Sequence, residues 1–532
     1  MIKNVFIKRQ NETIHEWIMF LCICLLIIGL ATSRSLVSIS QMLLFVNWLW
    51  EGNHIEKLKR FWRNKPVVFI SSVFLVYLIG MLWTHDLAHG FDTVLKNKLP
   101  YIVLPLVLGS SRPMKSERIL FVPVLFCVAI LFSTIVGFTI FLSDPYIAPR
   151  DISPFYTHVS FSMMIVMAVF LFPWAVKKNT NKKAWFNTSI LVSAWLLFFL
   201  FLMSSLTGIV SLAGVCLFLL FRDIVRKPGV IKIIGVSVLI IGSVAMISAI
   251  IFNIAEPLYS QKDPGPCTLD EYTAEGNPYY HNFDNDLREN GNLVFYFIAE
   301  EELRKAWNKR SNIDFDSLDN TGQKIKHTIY RYLTSKGLRK DKESLNLLDD
   351  DEIEAIENGT VNYLYLKWPN LFVRIHQTLW EIQQYERTGD PKEHSFTTRL
   401  EVWKASIAAF KKHPFSGWGT GDNLLAINTG LDLINSKKDE LNMRHPHNQF
   451  VHLLVMLGVP GLVVVFGLYI LFIKYSKAYR FLPYNLLLVM IFIFMLVDCP
   501  LDSQMTLNFF LFFSLYFGIV FNPCNTIKAN EI

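Results

Sequence analysis

Apolar residues along this chain are gathered into long, nearly unbroken runs rather than spread at a helical or strand period. Twelve such runs stand out: 17–31, 36–50, 66–83, 99–108, 120–142, 157–176, 185–203, 208–221, 230–252, 450–473, 484–497 and 505–521. A helix that crosses a bilayer needs about 20 mostly apolar residues. One run alone is compatible with a buried core helix; twelve together predict an all-α polytopic membrane protein with about 12 transmembrane helices. The fourth run is short and carries Pro100 and Pro105, so it is expected to be tilted, broken or re-entrant.

The polar segments between the runs test this pattern, because cytoplasmic loops collect Lys and Arg. With the N-terminus inside, the inside segments hold 23 Lys and Arg, from Lys3, Lys8 and Arg9 through Lys474, Lys477, Arg480 and Lys528. The short outside segments hold only 4: Arg34, Lys96, Lys98 and Arg150. The alternation holds at every short loop, and both termini are expected in the cytoplasm. The first run could be read as a signal peptide, but the segment before it is long and includes Glu12 and Glu16. A retained span is the expectation.

One stretch departs from the pattern. Residues 253–447 hold 24 Lys and Arg against 31 Asp and Glu, whereas the remaining chain holds 27 against 13. Span parity puts this loop outside, in the periplasm of a cell with two membranes. The expected organisation is a membrane domain of about 9 spans (1–252), a periplasmic loop domain (253–447) and a membrane region of 3 spans (448–532). The loop has helical periodicity. Ile325, Ile329 and Leu333 mark one amphipathic helix; the acidic residues Asp349–Asp351 suit the start of another before Ile353. Leu371, Ile375, Leu379 and Ile382 mark a third, stopped by Gly389 and Pro391, and 397–411 a fourth, with Arg399 and Trp403 on one face.

Composition fits this picture. Of 532 residues, 52% are hydrophobic and only 18% charged, against roughly 25% charged in soluble domains. A disordered chain is excluded. The formal charge of +7 is topological and not a nucleic-acid footprint. Of the 7 cysteines, only Cys267 and Cys499 fall on the outer side, and no disulfide framework or metal spacing is present. There is no Walker loop or dinucleotide glycine fingerprint.

Candidate chemistry collects on the outer face. His445-Pro446-His447-Asn448 precedes the tenth run, where a histidine can serve as a general base near neutral pH. His452, inside that run, reads as an interior hydrogen-bonded histidine. Asp498 and Asp502 flank Pro500 at the end of the eleventh run, and Arg150 and His158 lie at the mouth of the sixth. Gly417, Gly419 and Gly421 sit at alternate positions and forbid a regular helix; such turns cradle phosphate in some proteins and cap helices in many. Cations and a histidine beside membrane spans suit an anionic lipid diphosphate. No carboxylate cluster of metal spacing is evident, and no obligatory metal or other cofactor is expected.

Four features together resemble one family: many spans with a single large external loop before the last few; Arg399-Leu400-Glu401-Val402-Trp403-Lys404; His413-Pro414 through Gly417-Trp418-Gly419-Thr420-Gly421-Asp422; and His445-Pro446-His447-Asn448-Gln449 leading into a span with Gly458 and Gly461. They resemble the O-antigen ligase and O-antigen polymerase superfamily. Glu289-Asn290-Gly291-Asn292 and 331–339 look like a branch with an enlarged periplasmic loop.

The resemblance implies transfer of a glycan from undecaprenyl-diphosphate to an acceptor hydroxyl, at the periplasmic face of the bacterial inner membrane. The acceptor is lipid A-core in a ligase, another carrier-linked glycan in a polymerase, or a protein Ser or Thr in an O-oligosaccharyltransferase. His447 matches the histidine that activates the acceptor, with Asn448 beside it, and Arg399 matches a diphosphate-binding arginine near Trp403. Asp498 or Asp502 matches an acidic residue of the last external loop. The family often has Ser-Arg where the eighth span begins; here Ser205-Leu206 stands, and Arg150 or Arg331 is the expected replacement. A polytopic transporter or flippase is the competing class, although no repeated half and no matched pair of Gly/Pro-broken spans is visible.

Overall fold

In the computed structural model the described residues are 5–8, 12–143, 149–260, 269–368, 370–391, 395–436 and 445–521. Lys3, Arg9, Cys267, Cys524 and Lys528, which entered the charge and cysteine readings, lie outside them. Each of the twelve apolar runs is helical. The N-terminal part contains α1 (Ile14–Thr32), α2 (Arg34–Trp50), the amphipathic α3 (His54–Arg63), α4 (Lys65–Gly80), α5 (Pro100–Ser110), α6 (Ser116–Ser143), α7 (His158–Asn179), α8 (Lys183–Leu202), α9 (Leu206–Val225) and α10 (Gly229–Ile250). Then follow α11 (Glu300–Arg310), α12 (Ile325–Ser335), α13 (Asp350–Glu357) and α14 (Asn370–Thr388). The C-terminal part holds α15 (Ser395–Lys412), α16 (Asn423–Leu433), α17 (Gln449–Ser476), α18 (Leu482–Val497) and α19 (Gln504–Leu515).

Seven helices among the described residues are long and apolar enough to cross a membrane: α1, α4 with its 3-10 extension to Trp83, α6, α7, α8, α9 and α17. Shorter apolar helical stretches among the described residues are Gly229–Ala245 within α10, α18, and Gln504–Val520, which includes α19. Large apolar side chains remain exposed along the outer faces, including Met42, Leu191, Val463 and Ile470. That pattern suits helices bathed in lipid, where an apolar exterior carries no penalty. The chain is a multi-pass membrane protein.

Contacts divide it into two compact units, residues 1–222 with 399–532, and residues 223–398. In the first, local signals set the helix starts. Thr13 and Glu16 form a capping box on α1, Ser33 caps α2 and Thr157 caps α7; each supplies an acceptor to an otherwise orphan N–H. α4 packs against α5 and α17, and α1 against α2 and α6. Several buried polar side chains inside this bundle are paired: Gln41 with Asn508 at 2.6 Å, Trp48 with Ser110 at 2.8 Å, and Arg118 with Glu12. Unpaired, each would cost several kcal/mol at membrane depth.

The second unit has its own core, built on Trp307, Ile325, Ile329, Leu333, Ile353 and Ile356. The i, i+4, i+8 stripe read from the sequence is the buried face of α12. Asp349 and Glu352 form a capping box on α13, which explains the acidic start. Asn290 and Gly291, both at positive φ, turn a short antiparallel hairpin of β1 (Arg288–Glu289) and β2 (Asn292–Leu293). An Asn-Gly pair suits such a turn because both residues tolerate left-handed backbone. This hairpin is the only sheet among the described residues.

Candidate functional site

The site forms where the start of α17 meets the turn between α18 and α19. α17 begins on Asn448, whose Oδ1 accepts from the backbone N–H groups of Phe450 and Val451, both at 3.1 Å. Its Nδ2 donates to Leu496 O at 3.1 Å, so the same amide ties α17 to the end of α18. Immediately before it, His447 takes a left-handed conformation with φ 50°. A non-glycine residue there is strained, and such strain persists only where the surroundings enforce it. The enforced geometry brings His447 Nδ1 to 3.0 Å from Asp498 Oδ1. Both side chains are about one-third exposed, and both line a cavity.

Asp498 sits just beyond the C-terminus of α18. Burial would raise its pKa, but the hydrogen bond and charge of His447, the Cys499 N–H and the charge of Arg399 outweigh that and hold it below the usual carboxylate range. Arg399 Nη1 lies 3.3 Å from Val497 O, the residue before Asp498. One turn along α15, Trp403 Nε1 donates to Pro446 O. The shared face of Arg399 and Trp403 therefore lies against both strands of the site. A cavity of about 120 Å³ is lined by Val159, Ser160, His445, His447, Asp498 and Asp502 among others.

Asp502 is committed elsewhere. Its carboxylate accepts from Lys98 Nζ at 2.5 Å and from Gln449 Nε2 at 2.7 Å, and it lies 3.3 Å from His452 Nε2. Burial would raise its pKa; His452 and Lys98 overcome this and hold it well below the usual value. Lys98 is itself buried, donates also to Leu501 O, and stacks over Tyr77 at 4.6 Å. Gln449 Oε1 accepts from Leu501 N–H at 2.9 Å. Asp502 thus pins the turn, while Asp498 addresses His447. The sequence left the two acids equivalent. The contribution of Lys98 was not legible at all, since only the fold places it beside residue 502.

The remaining candidates fall in different places. His158 is the first residue of α7, next to the lining residues Val159 and Ser160. Arg150 lies in the turn before α7. Arg331 belongs to the second unit. There it pairs with the fully buried Glu289 at 2.5 Å and stacks on Trp380 at 4.5 Å. Glu289 has its pKa raised by burial despite that partner.

The glycine segment has a structural job. α17 breaks at Gly458, which has φ 67° and ψ −175°, just before Pro460. The broken helix leaves carbonyls without helical partners. Trp418 N–H donates to Val455 O at 2.8 Å, Gly419 N–H to Met456 O at 3.0 Å, and Val459 N–H to Pro414 O at 2.9 Å. A Cβ on Gly417 would stand 2.5 Å from Leu457 N, and one on Gly458 2.2 Å from Phe415 O. Gly417 N–H and Thr420 N–H donate to His413 O and Gly80 O, and Gly421 N–H to Thr84 Oγ1. Every amide from 417 to 421 is used within the protein, so these turns dock backbone to backbone and do not cradle phosphate. Asp422 completes the seam by accepting from the N–H groups of His85 and Asp86, both at 2.8 Å.

Sequence spacing pointed to no metal ligands, but the fold brings His445, His452 and Cys499 together. The three lie too far apart along the chain to form a recognisable motif.

No curated protein matches the chain. Residues 359–466 match the family model described as O-Antigen ligase. That stretch holds Arg399, Trp403, the glycine seam, His447 and the break in α17, and over it the chain is similar to the O-antigen ligase family.

Proposed function

We propose that this protein transfers a glycan from undecaprenyl-diphosphate to an acceptor hydroxyl at the periplasmic face of the inner membrane. The observation that carries the reading is the convergence of Arg399, His447 and Asp498 on one cavity-lined end of the bundle. The distribution of Lys and Arg supports an outside location for residues 253–447, with twelve spans and cytoplasmic termini.

The chemistry follows from the donor. Asp498 accepts a hydrogen bond from His447 Nδ1–H, which leaves the lone pair on Nε2 free to act as base. His447 removes the acceptor proton as the hydroxyl oxygen attacks the anomeric carbon. The bond from that carbon to the phosphate oxygen breaks, and the carrier diphosphate departs with the electron pair. Arg399, whose fork matches phosphate oxygens, stabilises the charge that accumulates there. The proton on His447 passes to solvent. A single displacement inverts the anomeric centre, and no nucleotide is needed because the leaving group is already the diphosphate.

The test uses full-length protein in detergent with a carrier-linked glycan donor and three acceptors: lipid A-core, a second carrier-linked glycan and a Ser/Thr peptide. The expected result is a product on lipid A-core that His447→Ala abolishes while expression is retained. Product on the glycan or the peptide instead makes the protein a polymerase or a protein transferase. No product with any acceptor, or near-normal activity in His447→Ala, overturns the reading; a transporter would behave in the first way.

A further inference from the structure

Behind the His447–Asp498 pair lies a second cluster whose atoms have no role in transfer. His445, His452 and Cys499 each present one ligand atom, and these atoms all lie within 4.8 Å of one another. The two rings meet edge-on with centroids 5.0 Å apart. His452 is 1% exposed and Cys499 5%. Among the described residues, Nδ1 of His445 and Nδ1 of His452 are both buried without a hydrogen-bond partner. A bare imidazole nitrogen in the interior forfeits a hydrogen bond that water would supply, and here two do so side by side, next to a thiol.

We propose that His445, His452 and Cys499 form a binding site for a zinc-class divalent cation. Two imidazoles and a thiolate are a donor set that Zn²⁺ accepts in tetrahedral geometry. The outer partners are of the right kind. Asp502 Oδ2 lies 3.3 Å from His452 Nε2, so that nitrogen carries the proton and Nδ1 is left as the ligand. A carboxylate behind a ligating histidine fixes its tautomer and raises its basicity. The backbone N–H of Asn448 bonds the Cys499 sulfur and so orients it beside the two rings. Zinc–ligand lengths of about 2.0–2.3 Å place tetrahedral ligand atoms roughly 3.3–3.8 Å apart, so the three side chains close by about an ångström around the ion. His445 and Cys499 both line the cavity, which gives the fourth coordination position to water. The ion ties the segment that enters α17 to the turn after α18, the two stretches that carry His447 and Asp498.

The test is made on full-length protein in detergent, reduced, stripped with a chelator and reloaded with Zn²⁺. One Zn²⁺ per chain is expected by elemental analysis. Co²⁺ in its place is expected to show a thiolate-to-cobalt charge-transfer band. Cys499→Ala and His452→Ala each lower retained metal about tenfold or more, whereas Cys216→Ala, a free thiol elsewhere, leaves it unchanged. Should those variants aggregate, alkylation of Cys499 in the unaltered protein decides: Zn²⁺ is expected to protect it. A wild-type stoichiometry near zero, Co²⁺ binding without the thiolate band, or alkylation indifferent to Zn²⁺ overturns the site.

Discussion

His447 Nδ1 and Asp498 Oδ1 stand 3.0 Å apart across 51 residues of chain, with the imidazole held at φ 50°. In the proposed reaction the carboxylate fixes which ring nitrogen carries the proton and stabilises the imidazolium that forms. Asp498→Asn keeps the shape but presents the wrong hydrogen-bonding edge. It is expected to lower kcat about a hundredfold or more with a smaller change in KM. Steady-state kinetics with a carrier-linked donor check this, and an equal effect on both parameters would assign Asp498 to substrate binding instead.

Lys98 and Asp502 form a buried pair beneath that dyad. Removing one partner of such a pair leaves an uncompensated charge in a low-dielectric interior, at a cost of about 3–5 kcal/mol. Lys98→Met is expected to lower the thermal midpoint in detergent by several degrees. The double variant with Asp502→Leu is expected to lose less than the single one, because no charge is then stranded. Equal midpoints for Lys98→Met and wild type would show the pair to be solvated.

Gly458 breaks α17 at a backbone conformation that side chains disfavour, and a Cβ there would meet Phe415 O at 2.2 Å. Gly458→Ala is expected to abolish or sharply reduce folded yield, since backbone cannot retreat from backbone. Gly467, nine residues on in the same helix, has open space around it, and Gly467→Ala is expected to be neutral. Size-exclusion profiles of the two variants make the comparison.

His376 carries a pH dependence of the second unit. It is fully buried, bonded to Tyr365 at 3.0 Å, and its pKa is lowered from 6.5 to about 4 by burial and by the charge of Arg331. The unfolded chain takes up a proton below 6.5 while the folded one does not, so stability is full above that value. It is lost as pH falls from 6.5 towards 4 and levels off below, a change of roughly 3 kcal/mol if the whole shift is realised. Thermal melts of the full chain across this range are expected to fall. His376→Phe is expected to flatten the dependence, and a slope unchanged in that variant would assign it to other groups.

Much of the architecture was legible in the sequence because its causes are local. The long apolar runs became helices, and the acidic start at Asp349–Asp351 caps α13 within three residues. The stripe Ile325, Ile329, Leu333 faces a core by helical geometry alone. The stops at Gly389 and Pro391 likewise fall where α14 ends. The importance of the glycine segment was also visible, but not its purpose: only the break in α17 reveals carbonyls for those amides to meet.

The sequence by itself determined a helical, multi-pass chain with a folded region between its spans and a histidine motif before a late span, since run length and helical periodicity depend on neighbours along the chain. The tertiary structure alone decided that Asp498 rather than Asp502 meets His447, that Lys98 reaches a carboxylate 404 residues away, and that Arg331 is taken up by Glu289. Those outcomes depend on how each helix is rotated and shifted against the next. That packing is set by the summed contacts of whole faces, and no spacing between two residues encodes it.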